Sequence, residues 1–174
     1  MKRKIVTAIL IVVTVLLQCS VFQLFEIASV KPNLLVILTV SFGLMRGRLS
    51  GLMTGFAGGL CMDLFYPGPV GLNALLYMWI GYASGYCYRI FYDDDIKTPL
   101  LLVTAGDLFY SISLYVLTFL LRGRIHFGFY LGRIIIPELL YTIVATLALY
   151  HVLYRINQSL IKSDKRSMDY FAKP

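Results

Sequence analysis

Apolar residues along this chain gather into six runs separated by short polar or glycine- and proline-rich breaks: Ile5 to Phe25, Leu34 to Met45, Leu49 to Phe65, Leu72 to Phe91, Pro99 to Leu121 and Phe129 to Ile156. A helix that crosses a bilayer needs roughly 20 apolar residues, and four of the runs reach that length. The second and third, at about 12 and 17 residues, fall short. They predict tilted, kinked or partly re-entrant segments buried among the others, where neighbouring protein satisfies their backbone. Fusing or dropping the second run would leave five spans; the charge distribution favours six.

Inside the third run Gly51, Gly55 and Gly59 recur every four residues, with Gly58 beside them. That spacing puts small residues on one stripe of a helix, where another helix can approach to backbone contact. The run ends at Asp63 and a Pro67-Gly68-Pro69 turn that no helix crosses. Gly81 and Gly85 repeat the spacing in the fourth run, among Tyr77, Trp79, Tyr82, Tyr86 and Tyr88. The pattern predicts a close crossing of the third and fourth helices inside one chain, joined by the short turn.

Composition fixes the class. With 59% hydrophobic and 14% charged residues, this is an all-α integral membrane protein whose 174 residues leave no room for a separate soluble domain. The expected organisation is a six-helix membrane domain over 1–156 and a basic tail over 157–174. Six spans place twelve of the sixteen Lys and Arg residues on the face that holds both ends, Arg46 and Arg48 among them. Only Lys31, Arg122, Arg124 and Arg133 lie on the other. The richer face is cytoplasmic by the positive-inside rule, so the net charge of +7 reads as topology and contact with anionic membrane lipids. Nucleic acid is excluded as a partner, because no basic patch with interleaved aromatics lies outside the apolar runs. Lys2-Arg3-Lys4 opens the chain like a signal peptide, but the run continues to Phe25 without a cleavage site, which predicts an uncleaved first span.

Candidate chemistry is sparse. Cys19, Cys61 and Cys87 form no C-x-x-C pair, and neither His126 nor His151 has a second ligand at helical spacing, so no metal or cofactor is expected. Nucleophile elbow, zinc and phosphate-loop motifs are missing, and with them any paired acid, base and nucleophile; the chain is expected not to be an enzyme. Three carboxylates do sit within apolar runs, where each costs on the order of 3 kcal/mol or more and rarely faces lipid. Asp63 either lines an outward polar cavity or partner contact, or is simply the acid of a solvated helix end or one bonded to backbone N–H groups freed at the Pro67-Gly68-Pro69 turn. Asp107 is deeper and needs an internal partner such as a Tyr hydroxyl, or its proton. Glu138, beside Pro137, suits a helix N-terminus.

The segments Pro32-Asn33-Leu34-Leu35, Phe42-Gly43-Leu44-Met45-Arg46-Gly47-Arg48, Gly51-Leu52, Gly55-Phe56-Ala57-Gly58-Gly59-Leu60, Asp63-Leu64-Phe65, Gly68-Pro69, Gly71-Leu72-Asn73-Ala74-Leu75 and Gly81-Tyr82 occur in an order and spacing that resembles the bacterial rod shape-determining MreD family. The likeness is dense from Pro32 to Gly85 and looser elsewhere, and Glu138 and Thr142 depart from the pattern expected after the proline. It implies a compact bundle of six transmembrane helices like the substrate-binding subunits of energy-coupling-factor vitamin transporters. The implied role is non-enzymatic, in the elongation machinery that organises lateral peptidoglycan synthesis. The implied partners are MreC directly and, through it, MreB, RodA and a class B penicillin-binding transpeptidase, in the bacterial inner membrane with both termini cytoplasmic. The shared architecture also leaves a second reading, a micronutrient-capture subunit with an outward cavity around Asp63, Asn73 and Asp107.

Overall fold

The computed structural model describes residues 2–21, 31–65, 69–89, 96–118 and 127–171. Among them every secondary-structure element is a helix. The elements are α1 (Lys2–Leu16, widening into a π turn over Leu17–Val21), α2 (Leu34–Arg46), α3 (Arg48–Phe65), α4 (Leu72–Ser84, tightening into a 3-10 turn over Gly85–Arg89), α5 (Lys97–Thr118) and α6 (Ile136–Phe171). A helical turn Phe127–Tyr130 and a π turn Leu131–Ile135 lead directly into α6.

The hub is α2. Its sequence is apolar on every side, and a helix of that kind is stable only when surrounded; every residue from Leu34 to Leu44 is buried. Asn33 starts it, its side-chain oxygen accepting from the Val36 N–H at 3.3 Å, the usual cap for an orphaned first-turn donor. Ser41, polar in this core, satisfies itself by donating to the Ile37 carbonyl at 2.6 Å. The helix stops at Gly47, whose φ of 90° suits glycine and lets the chain reverse at once into α3.

Hydrogen bonds fix the direction of each helix. At one end Arg46 donates from Nε to Asn157 Oδ1 and from Nη1 to Thr7 Oγ1, both at 2.7 Å, joining the start of α1, the end of α2 and the far part of α6. At the other end the Leu35 N–H donates to Gln18 Oε1 at 3.2 Å and the Asn33 N–H to Thr142 Oγ1 at 3.1 Å, joining the end of α1, the start of α2 and the near part of α6. Asp63 links the end of α3 to the start of α4, and Tyr110, well along α5, donates to Asn73 Oδ1 at 2.7 Å. Each of the six helices therefore runs opposite to the one before it.

Lys97–Thr118 and Leu131–Leu160 are long and apolar enough to cross a membrane alone, whereas Ile5–Ser20 and Leu34–Arg46 are shorter apolar helices. Sequence length had assigned that capacity to the first and fourth runs as well. In the first, the described helix reaches only Val21, and residues to Phe25 lie outside the described set; in the fourth, the α-helix gives way at Gly85. The last helix continues past residue 156 to Phe171, with Glu138 in its first turn; a helical turn and a π turn precede it from Phe127. Pro137 offers no N–H and crowds the preceding turn. The widened turn before it, where the Ile136 N–H reaches the Leu131 carbonyl, absorbs that mismatch.

Candidate functional site

Where α3 crosses α4, glycines bring the two backbones into direct contact. A Cβ placed on Gly51 would fall on the Gly81 carbonyl, and one on Gly81 would fall on the Gly51 carbonyl. Further along, Gly55 meets the Tyr77 carbonyl, Gly59 the Ala74 backbone and Gly85 the Arg48 backbone. Gly58 lies off this seam and faces the Leu35 side chain on α2. Close approach replaces the missing hydrophobic drive between helices in lipid with dense van der Waals contact. These glycines are thus engaged within the chain, and a second protein would have to meet it elsewhere.

Asp63 ends the seam. Its Oδ2 accepts from the Gly71 N–H at 2.9 Å and the Ala74 N–H at 3.1 Å, and its Oδ1 from the Asn73 N–H at 3.1 Å. Gly71, the residue before α4, has no side chain to cap the helix, so an aspartate from the preceding helix does so, in favourable register with the helix dipole. Of the two readings of Asp63, the backbone-bonded one is what the geometry displays. Pro67 and Gly68 lie outside the described residues.

A polar cluster adjoins this cap in the same end of the bundle. Tyr77, fully buried, donates to Asn33 Oδ1 at 2.9 Å and stacks on Tyr110 with ring centroids 4.7 Å apart. Asp107 is 0% exposed, and neither carboxyl oxygen makes a regular hydrogen bond; the polar side chains acting on it are those of Thr142 and Asn33. The expected tyrosine partner is not there, because Tyr77 and Tyr110 direct their hydroxyls to Asn33 and Asn73. Glu138 accepts from Ser111 Oγ at 3.1 Å and lies within the field of Asp107. Thr142 donates its one hydroxyl proton to the Glu138 carbonyl at 2.8 Å.

Asn33, Tyr77 and Tyr110 were not singled out as polar-site residues from sequence. A signal did exist for Asn33, an Asn immediately before an apolar run and hence a helix cap. The two tyrosines look like ordinary interfacial aromatics in sequence. Asp63, Asn73 and Asp107 do not supply the free, convergent groups that micronutrient capture requires: Asp63 holds the α4 backbone, Asn73 holds Tyr110, and Asp107 is wholly enclosed.

On the outer surface α2, α4 and α5 leave an apolar groove of about 270 Å³. Small residues, Ala83, Ala105 and Gly106, line it, and Trp79 and Phe109, 55% and 49% exposed, stand beside it. Among the described residues no group of three or more His, Cys, Asp or Glu could hold a metal ion. A family model described as rod shape-determining protein MreD matches residues 1–160. No curated protein and no solved structure matches the chain.

Proposed function

The chain belongs to the rod shape-determining MreD family, and from that premise we propose that it serves the elongation machinery as a rigid membrane-embedded subunit that receives the membrane helix of MreC. The family is a shape-determining one not known as enzymatic, made of membrane proteins that function with MreC and the shape-determining complex. In the proposed arrangement all six helices cross the bacterial inner membrane as a bundle like that of energy-coupling-factor substrate-binding subunits. Both ends are cytoplasmic, the membrane domain spans 1–156 and the basic tail 157–174 rests on the inner leaflet. The alternation of helix directions and the basic residues gathered beside Arg46 support that orientation. MreB, RodA and a class B penicillin-binding transpeptidase are engaged through MreC, which places lateral peptidoglycan synthesis under the control of the complex.

The observation that carries the reading is the groove between α4 and α5. Its small residues admit a helix backbone closely, and its exposed aromatics supply contact area to a partner in lipid. The glycine seam contributes indirectly by holding α4 rigid. Substituting Ala83→Leu together with Ala105→Leu fills the groove with side chains that face outward. The expected result is an inserted protein with an unchanged thermal midpoint that no longer co-purifies with MreC and leaves cells rounded; normal co-purification would refute the groove as the docking face.

A further inference from the structure

We propose that the basic end of the bundle carries a defined site for the phosphate group of an anionic phospholipid, built on Arg48 and Tyr86. Two neighbouring arginines there differ in kind. Arg46 is structural: its Nε and Nη1 tie α2 to α6 and α1, and its guanidinium lies 4.3 Å from the Phe42 ring centre. Arg48, at the start of α3, is exposed and lies 3.6 Å over the Tyr86 ring. Among the described residues no carboxylate, carbonyl or hydroxyl accepts a hydrogen bond from it. The ring beneath it is itself held, since the Tyr86 hydroxyl donates to the Tyr82 hydroxyl at 3.1 Å and the two rings meet edge to face at 5.3 Å.

A guanidinium lying over an aromatic ring loses little freedom on binding and keeps its N–H donors for a two-pronged contact with phosphate. Arg48 opens onto a groove of about 380 Å³ that Gly47, Gly85, Tyr86 and Tyr88 complete. Gly85 lets the turn after α4 pack directly on the Arg48 backbone, which brings the Tyr86 ring to the arginine. Tyr86 and Tyr88 are both 49% exposed, amphipathic rings of the kind that settle at headgroup level. The contact between Arg46, Thr7 and Asn157 places this groove at the end where the basic residues collect, which in the orientation proposed above faces the leaflet with the negative surface potential. Lipid is favoured over an acidic protein segment because two half-exposed tyrosines rim the groove and that orientation sets it at headgroup level.

The test is a thermal midpoint titration of the purified full-length chain in mild detergent. Phosphatidylglycerol, phosphatidylcholine and inorganic phosphate are added in separate arms. Phosphatidylglycerol is expected to raise the midpoint saturably and phosphatidylcholine is not. Arg48→Ala should raise the half-saturating concentration about tenfold, and Arg48→Lys should recover only part of it, because the lysine keeps the charge but not the fork. Tyr86→Leu, which removes the ring and leaves the charge, should fall between wild type and Arg48→Ala and keeps the question open to refutation if Arg48→Ala fails to insert. Equal shifts with both lipids, or an unchanged response in the Arg48 and Tyr86 variants, would overturn the site. Inorganic phosphate acting alone at the same concentration would overturn its assignment to lipid.

Discussion

Near Gly51 and Gly81 the backbones of α3 and α4 touch with nothing between them, whereas at the opposite end the same two helices are joined by one carboxylate, Asp63, holding three N–H groups of the α4 entry. The first contact rests on shape and tolerates no addition. The second rests on hydrogen-bonding capacity and tolerates no removal. Helix pairs in lipid cannot draw on expulsion of water between them, and here one pair uses both remaining means, backbone contact from Gly51 to Gly59 and the Asp63 carboxylate added at the Gly59 end. Together the two anchor both ends of α4, which flanks the apolar groove and leads into the turn beside Arg48.

The sharpest way to break this comparison is to add atoms to the seam. Gly55→Leu drives a side chain into the Tyr77 carbonyl, and backbone on both sides leaves nowhere to shift. Overpacking of this sort is expected to cost about 3 kcal/mol or more, read as loss of the folded, monodisperse species in detergent and loss of rod shape in cells. Gly132→Ala is the matched control: nothing lies within 4 Å of a Cβ there, and alanine's better helix propensity predicts an unchanged or slightly raised midpoint. An equal loss in both variants would show that glycine matters for backbone freedom and not for contact.

Removing atoms at the other end should do less. Asp63→Ala strands three donors, one of them the buried Ala74 N–H, and also gives up a favourable charge at a helix N-terminus; a loss of about 2 kcal/mol is expected in reversible unfolding. Asp63→Asn should cost about half as much, since one oxygen can still accept. A wild-type midpoint in Asp63→Ala would mean water answers those donors and the cap is incidental. Smallest of all is Tyr110→Phe, which deletes the bond to Asn73 while leaving the stack on Tyr77; membrane hydrogen bonds of this kind average about 0.6 kcal/mol. A loss exceeding that of Asp63→Ala would move the weight of the polar end from the cap to the Tyr77–Tyr110 pair.

Much of the seam was legible in sequence because a four-residue glycine period has one helical meaning, a stripe of small residues, and both helices carry it. The identity of the surface facing Gly58 was not: Gly58 sits one residue before Gly59, yet that rotation turns it from α4 to Leu35 on α2. Asp63 was legible as an acid near a turn, and its partners were not, since they belong to the next helix. Asp107 and Glu138 could be placed within spans, but nothing local indicated that Asn33, at the start of a third helix, would stand between α4 and α6 and take the Tyr77 hydroxyl. Glu138 falls in the first turn of the helix that starts at Ile136, beside its proline, but the widened turn at Leu131–Ile135 that continues the helix back to Phe127 has no sequence signature.

Hydrophobic run length, the glycine period and the asymmetric placement of Lys and Arg depend only on residues near one another along the chain. By themselves they determined a helical membrane protein, its tightest helix pair and its basic end. Which carboxylate caps, which is enclosed without regular hydrogen bonds, and which arginine is tied to two other helices while its neighbour two residues on lies over a tyrosine were decided by tertiary structure. Each depends on side chains brought together from helices far apart in the chain, and the hydrogen-bonding capacity of a polar group in a bundle is taken up by whichever neighbour the packing presents.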